Sequence, residues 1–153
     1  MKKDLIILDE DKDWAKTRIA QLEKEIQALG PAFYDVFNQS SETWHDNAPF
    51  DALRDHQSML DAELQSLRAV LRSSLPSVPK QKRSVVGIGS AVTLKDAKGV
   101  HRRYIIAGDW TYRAGQTTDD ATVISREAPL ARELVGKKIG AISRFGEIIG
   151  IET

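Results

Sequence analysis

The chain contains no cysteine. This excludes disulfides, thiolate metal sites and a cysteine nucleophile, and it agrees with a reducing compartment. Long apolar runs are missing as well. The longest near the start is Leu5-Ile6-Ile7-Leu8, far too short for a signal-peptide core or a membrane span. The expectation is a soluble cytoplasmic protein with no membrane partner. Nor does charge of one sign prevail: 22 Lys and Arg face 22 Asp and Glu, which argues against binding nucleic acid chiefly by neutralising phosphates. That balance hides a split. Residues 1–74 carry 14 acids and 9 bases, net −5, and residues 75–153 carry 8 acids and 13 bases, net +5. Repeats and low-complexity tracts are absent.

Two heptad seams fill the first half. Ile19, Leu22, Ile26, Leu29, Phe33 and Val36 step by three and four, and so do Phe50, Leu53, Gln57, Leu60, Leu64, Leu67 and Leu71. Seams of this kind joined by a short polar segment predict an antiparallel helical hairpin. Gly30-Pro31 is expected to break or kink the first helix after Leu29, because proline lacks the donor and clashes with the preceding turn. Asn47 is placed to cap the second helix, with Pro49 in its first turn.

SSLPSVPKQKR, residues 73–83, has two prolines, serines and a basic run without periodicity, and marks a boundary. Beyond it lie strand candidates: Val86 to Leu94, HRRYIIAG (101–108), ATVISRE (121–127), AISRF (141–145) and EIIGIE (147–152). Between the third and fourth, APLARELVGKKIG is framed by a proline start and a glycine stop as about two turns of helix. The reading is α+β in two parts: residues 1–74 as hairpin, 75–83 as linker, and 84–153 as a small α+β domain.

The chemistry concentrates in SSETWHDNAPFD, residues 40–51, at the hairpin tip. It holds Glu42, Trp44, His45, Asp46 and Pro49, more than a plain turn requires. The acids are also natural beside a helix N-terminus, where the dipole favours them. Trp44 is equally suited to stacking on a base or to closing the seam above Phe50. His45 and His56 with Asp46 match no established ligand spacing. Ser40, Ser41, His45 and Asp51 are merely close in sequence, where a catalytic triad needs tertiary orientation. Gly87-Ile88-Gly89 lacks the third glycine and the following helix of a phosphate loop. Lys80, Lys82, Arg83, Arg102 and Arg103 form either a basic surface or ordinary solvated charge.

With these residues the layout resembles the bacterial Gre transcript-cleavage factors. Pro129-Leu130-Ala131-Arg132-Glu133-Leu134-Val135-Gly136-Lys137 is similar to the family's Pro-Ile-Ala-Arg-x-Leu-Ile-Gly-Lys helix. Tyr104-Ile105-Ile106-Ala107-Gly108 resembles the strand ahead of it, and Val86 to Leu94 resembles the opening of that domain. Pro31 also has a counterpart. The resemblance implies an N-terminal antiparallel coiled coil and an FKBP-like C-terminal α+β domain. It implies a monomeric partner of RNA polymerase, entering the secondary channel and reaching the nascent RNA 3′ end indirectly.

On that resemblance the tip acids help hold a catalytic Mg²⁺ of the polymerase and activate water, so that the polymerase cuts backtracked RNA. Carboxylates suit this because Mg²⁺ prefers hard oxygen ligands. Asp46 is then the metal-facing acid with Glu42 beside it, and Thr43, Trp44, His45 and Asn47 contact the RNA or channel. Mg²⁺ belongs to the polymerase centre, with no intrinsic cofactor, and the chain is no enzyme by itself. Ala128, Pro129 and Leu130 correspond to a loop that touches the channel rim, Ala128 replacing the family's serine. Arg54, Arg68 and Arg72 stand for the coil's basic strip. The family's tip reads Asp-Leu-Ser-Glu-Asn-Ala-Glu-Tyr. Here Asp46 takes the glutamate's place, one methylene shorter, and Thr43 takes the aspartate's. A non-cleaving regulator in the same channel is the alternative. A chaperone or prolyl isomerase, drawing on Tyr104, Trp110, Tyr112 and Phe145, is a further one.

Overall fold

A computed structural model of the chain describes residues 4–39, 48–80, 82 and 84–152, the side chains of 37–39 excepted. It divides into two compact units, Asp13–Arg72 and Met1–Lys12 with Ser73–Thr153.

The first unit is the helical hairpin. Helices α1 (Asp9–Gln39) and α2 (Ala48–Ser73) meet along the predicted seams, with Leu22, Leu60, Leu64 and Leu67 buried and Ala15 extending the line toward the N-terminus. Phe33 and Phe50 meet edge to face, ring centroids 5.6 Å apart. Two charge pairs cross the seam: Arg18 Nε and Nη2 each donate at 2.8 Å to the Glu63 carboxylate, and Arg68 Nη2 donates at 2.8 Å to Glu23. Of the break or kink expected at Pro31, the break does not occur: α1 runs through it. The missing donor leaves only the Gln27 carbonyl without its helical partner, and Pro31 and Gly30 both lie exposed, where water can solvate it. Pro49 is in the first turn of α2, as anticipated. Among the described residues no helix is long and apolar enough to cross a membrane.

The second unit carries a six-stranded sheet of β1 (Ala91–Lys95), β2 (His101–Ile106), β3 (Thr117–Thr118), β4 (Ala121–Ile124), β5 (Ile142–Ser143) and β6 (Gly146–Glu152), in the order β3-β4-β2-β1-β6-β5. All neighbours are antiparallel except β2 and β4. Val92, Leu94, Ile106 and Ile148 form the buried face under α3 (Pro129–Leu134), which contributes Ala131 and Leu134. The first predicted strand is shortened: residues 86–90 form a turn, in which Ser90 Oγ accepts the Gly87 N–H at 2.9 Å and Gly89 takes φ 86°.

The boundary of the hairpin also moves. Residues 1–74 were expected to form one unit, yet residues 4–12 belong to the sheet unit. Leu5 bonds to Ser73 and Leu75 through its backbone, Ile6 exchanges bonds with Asp109, and Ile7 is 1% exposed. The apolar run Leu5–Leu8 is therefore a strap on the sheet unit. Gly108 makes its approach possible: a Cβ there would lie 2.2 Å from the Ile6 carbonyl oxygen.

Candidate functional site

Glu42, Thr43, Trp44, His45, Asp46 and Asn47 lie outside the described residues. Their frame is described. Eight residues, Ser40 to Asn47, connect the end of α1 to the start of α2, and the Phe33–Phe50 contact closes the seam below them. Asp51 in the first turn of α2 pairs with Arg54 at 3.5 Å. Of the three arginines read as a basic strip, Arg54 and Arg68 thus each have an acidic partner, and Arg72 is exposed in the last turn. His56 is exposed. Among the described residues no group of three or more His, Asp or Glu is arranged to hold a metal ion.

The Arg18–Glu63 pair is a two-point ion pair across the hairpin. The hydrogen bond from Arg18 holds the Glu63 carboxyl below its ordinary range, against the opposing effect of burial. The same bond raises the already high pKa of Arg18. Both carboxylate oxygens are engaged by one planar guanidinium, the geometry that most strengthens such pairs.

Ala128, Pro129 and Leu130 form the start of α3. Ala128 is the extended residue before the helix (φ −63°, ψ 144°), with no side-chain cap, and Pro129 occupies the first helical turn. That substitutes a fixed φ for a capping hydroxyl. Ala128 N–H donates to the Ser125 carbonyl at 2.9 Å, and Glu127 N–H to Ser125 Oγ at 3.2 Å. Glu127 in turn accepts from Arg132 at 2.8 Å. Leu130 and Ala128 rest against the core while Pro129 is exposed. The loop thus presents proline on a braced support, with the hydroxyl at Ser125 turned to internal use.

A cluster of buried charge escaped sequence reasoning. Asp11 is fully buried, and its Oδ1 accepts from Thr111 Oγ1 at 2.9 Å and Arg113 Nε at 3.2 Å. Arg113, 5% exposed, also donates to Glu10 at 2.6 Å. Asp11 Oδ2 has no partner among the described residues. Within the run Asp9-Glu10-Asp11-Lys12-Asp13 nothing in composition distinguishes the buried acid; only α-helical phase relative to the strap selects it. Of the other candidate cations, Arg103 pairs with Glu152 at 2.5 Å, Lys80 and Lys82 are exposed, and Arg83 is outside the described residues. Of the aromatics weighed for an isomerase pocket, Tyr104 and Phe145 line different depressions.

Residues 80–145 match the model of the C-terminal domain of transcription elongation factors GreA/GreB. The GreA of Thermomicrobium roseum is 34% identical over 110 residues, 71% of this chain and 63% of its own length. That of Macrococcus caseolyticus is 29% identical over 96 residues, 62% of this chain and 58% of its own. The chain therefore spans about three fifths of the length of these curated relatives. The crystal structure of GreA factor homolog 1 of Thermus thermophilus overlays on 99% of this chain and 100% of its own, at 16% identity and a TM-score of 0.45. Over residues 80–145 the chain thus carries a C-terminal domain of the type found in the GreA/GreB transcription elongation factors.

Proposed function

We propose that this chain acts on RNA polymerase from within the secondary channel and stimulates the polymerase's own cleavage of backtracked RNA. The observation that carries the reading is the joining of two parts: a GreA/GreB-type C-terminal domain and a helical hairpin whose eight-residue connection holds Glu42 and Asp46. A hairpin of two helices locked by the Phe33–Phe50 contact and the Arg18–Glu63 pair is stiff enough to deliver a side chain to a buried centre. Position matters, because an added carboxylate is useful only within ligand distance of the ion it supports.

The role of the chain's own residues is then to bring carboxylate oxygens to the polymerase centre, which supplies the Mg²⁺ and the Lewis acidity. Asp46 is the principal acid and Glu42 the secondary one. Ala128, Pro129 and Leu130 dock at the channel rim, with Pro129 as the exposed member. Thr43 in place of the family's aspartate favours a second reading, a channel occupant that modulates initiation or pausing without cleavage.

Stalled, backtracked elongation complexes with end-labelled RNA and Mg²⁺ separate the two. Factor-dependent shortening of the RNA that Asp46→Ala lowers by about a hundredfold or more establishes cleavage and assigns the acid, a size typical for loss of a group acting at the reacting centre. No shortening, but slowed elongation or competition with an authentic cleavage factor, leaves the second reading. Absence of every effect overturns both.

A further inference from the structure

Resting on the reading of polymerase as partner, we propose that a depression between the β1–β2 and β5–β6 turns is a second docking site, taking an acidic segment of the polymerase surface that carries large apolar side chains. The open depression has a volume of about 810 Å³ and is lined by residues 95–98, 100, 102 and 142–147, none of them in the Ala128–Leu130 segment. Strand β1 pairs with both β2 and β6, Lys95 opposing His101 on one side and Glu147 on the other. The two turns therefore emerge at one end of the sheet. Gly146 draws them together: at φ 144° a Cβ would lie 2.7 Å from the Lys95 carbonyl oxygen.

Two observations define the occupant. First, three large apolar side chains stand in water here: Val100 at 47%, Phe145 at 40% and Ile142 at 84% exposure. Grouped exposure of this kind marks an interaction surface rather than scattered surface residues. Second, the charges around them do not cancel. Asp96 Oδ1 is occupied by the backbone N–H groups of Lys98 and Val100, each at 2.9 Å. Arg144 is paired with Glu133 at 2.8 Å and lies over the Phe145 ring at 4.9 Å. Lys95, Lys98 and Arg102 have no ion-pair partner among the described residues, and against these three charges the lining sets Asp96 and Glu147, leaving one positive charge in excess. The groove thus offers apolar contacts beside excess positive charge, and its complement is a protein segment with acids flanking large apolar residues. A nucleic acid fits less well. It would satisfy the cations but leave Ile142 in water, and Arg144 already covers the ring on which a base would stack.

The test measures binding of the full chain, fluorescently labelled, to purified core RNA polymerase over a salt series. Ile142→Asp, and separately Lys95→Glu with Arg102→Glu, are each expected to weaken binding by about tenfold or more. Ile142→Asp, at a position 84% exposed, should leave the melting curve unchanged, and the melting curve of the charge-reversal pair separates cross-strand repulsion between Lys95→Glu and Glu147 from lost binding. For the charge-reversal pair the loss should shrink as salt rises, since exposed charges are screened. Wild type that binds while both variants bind within about twofold overturns the groove and spares the polymerase reading. Wild type that fails to bind overturns both together. Loss of affinity for labelled single-stranded RNA, with polymerase binding intact, overturns the proposal by assigning the groove to nucleic acid.

Discussion

Asp119 and Asp120 adopt φ of 50° and 62°, the only non-glycine residues at positive φ among those described. They form the two-residue connection between β3 and β4, where Thr118 opposes Ala121. Positive φ at both central positions matches the twist of the strands, and it is why Asn-Gly is preferred at such turns. Aspartate tolerates this region better than most residues, but a Cβ still costs energy that glycine avoids. Asp120→Gly is accordingly expected to stabilise the sheet unit by about 0.5 kcal/mol, the relief exceeding the added freedom of the unfolded chain. Asp120→Val should destabilise it by about 1–2 kcal/mol, since a branched side chain fits worst there. Urea unfolding followed by tryptophan fluorescence checks both signs; equal midpoints for the two variants would defeat the argument. This turn also shows a limit of sequence reading. Two threonines followed by two aspartates form too short and too polar a stretch to announce a strand, and β3 went unpredicted.

At the scale of elements, legibility followed periodicity. The hairpin was readable because alternating steps of three and four persist over both helices, and every seam position of α2 is at least half-buried. The strands were found but overextended, because Val86 and Ile88 share the apolar spacing of a strand while Gly87 and Gly89 bend the chain. The strap was missed for a related reason: four apolar residues suit a strand, a helix or a buried tether alike. Of the candidate site, the α3 start is described as a braced proline corner, whereas the acids at the tip fall outside the described residues. What sequence could not display is which charges pair. Arg18 and Glu63 are 45 residues apart, and only the hairpin register joins them. Because this bond depresses the Glu63 carboxyl, its contribution is fully present above the ordinary glutamate pKa of about 4.3. It is lost as pH falls through the lower folded-state value. Glu63 is 39% exposed, so screening limits the pair to about 0.5–1 kcal/mol. Glu63→Gln should lower hairpin stability by that amount at neutral pH and flatten its decline between about pH 5 and 3. A wild-type and variant difference that stays constant across that range would disprove the linkage.

For the whole molecule, the sheet unit is discontinuous in sequence, and this gives a test that cutting at the linker would not suggest. A fragment beginning near residue 84 keeps every strand and α3. It loses Ile7, which is 1% exposed in the whole chain, and two bonds between Ile6 and Asp109, from the Asp109 N–H to the Ile6 carbonyl and from the Ile6 N–H to the Asp109 carboxylate. It also strands Arg113, whose Nε and Nη1 are held by Asp11 and Glu10. Forgoing the burial of one isoleucine side chain removes about 2–3 kcal/mol of stabilisation, and a buried cation left without its acid costs at least as much again. Restoring water access to Arg113 offsets part of that, so a net loss of about 3 kcal/mol is expected. In a domain of this size that lowers the melting temperature by roughly 15 °C. A peptide covering residues 4–12, added in excess, should recover part of the loss by binding the folded form. The same peptide with Asp11→Ala should recover much less. Calorimetry of the fragment with each peptide decides the matter. A fragment as stable as the sheet unit of the full chain would mean the strap is an ornament of the fold, and the boundary at residues 75–83 would then suffice to define the domain.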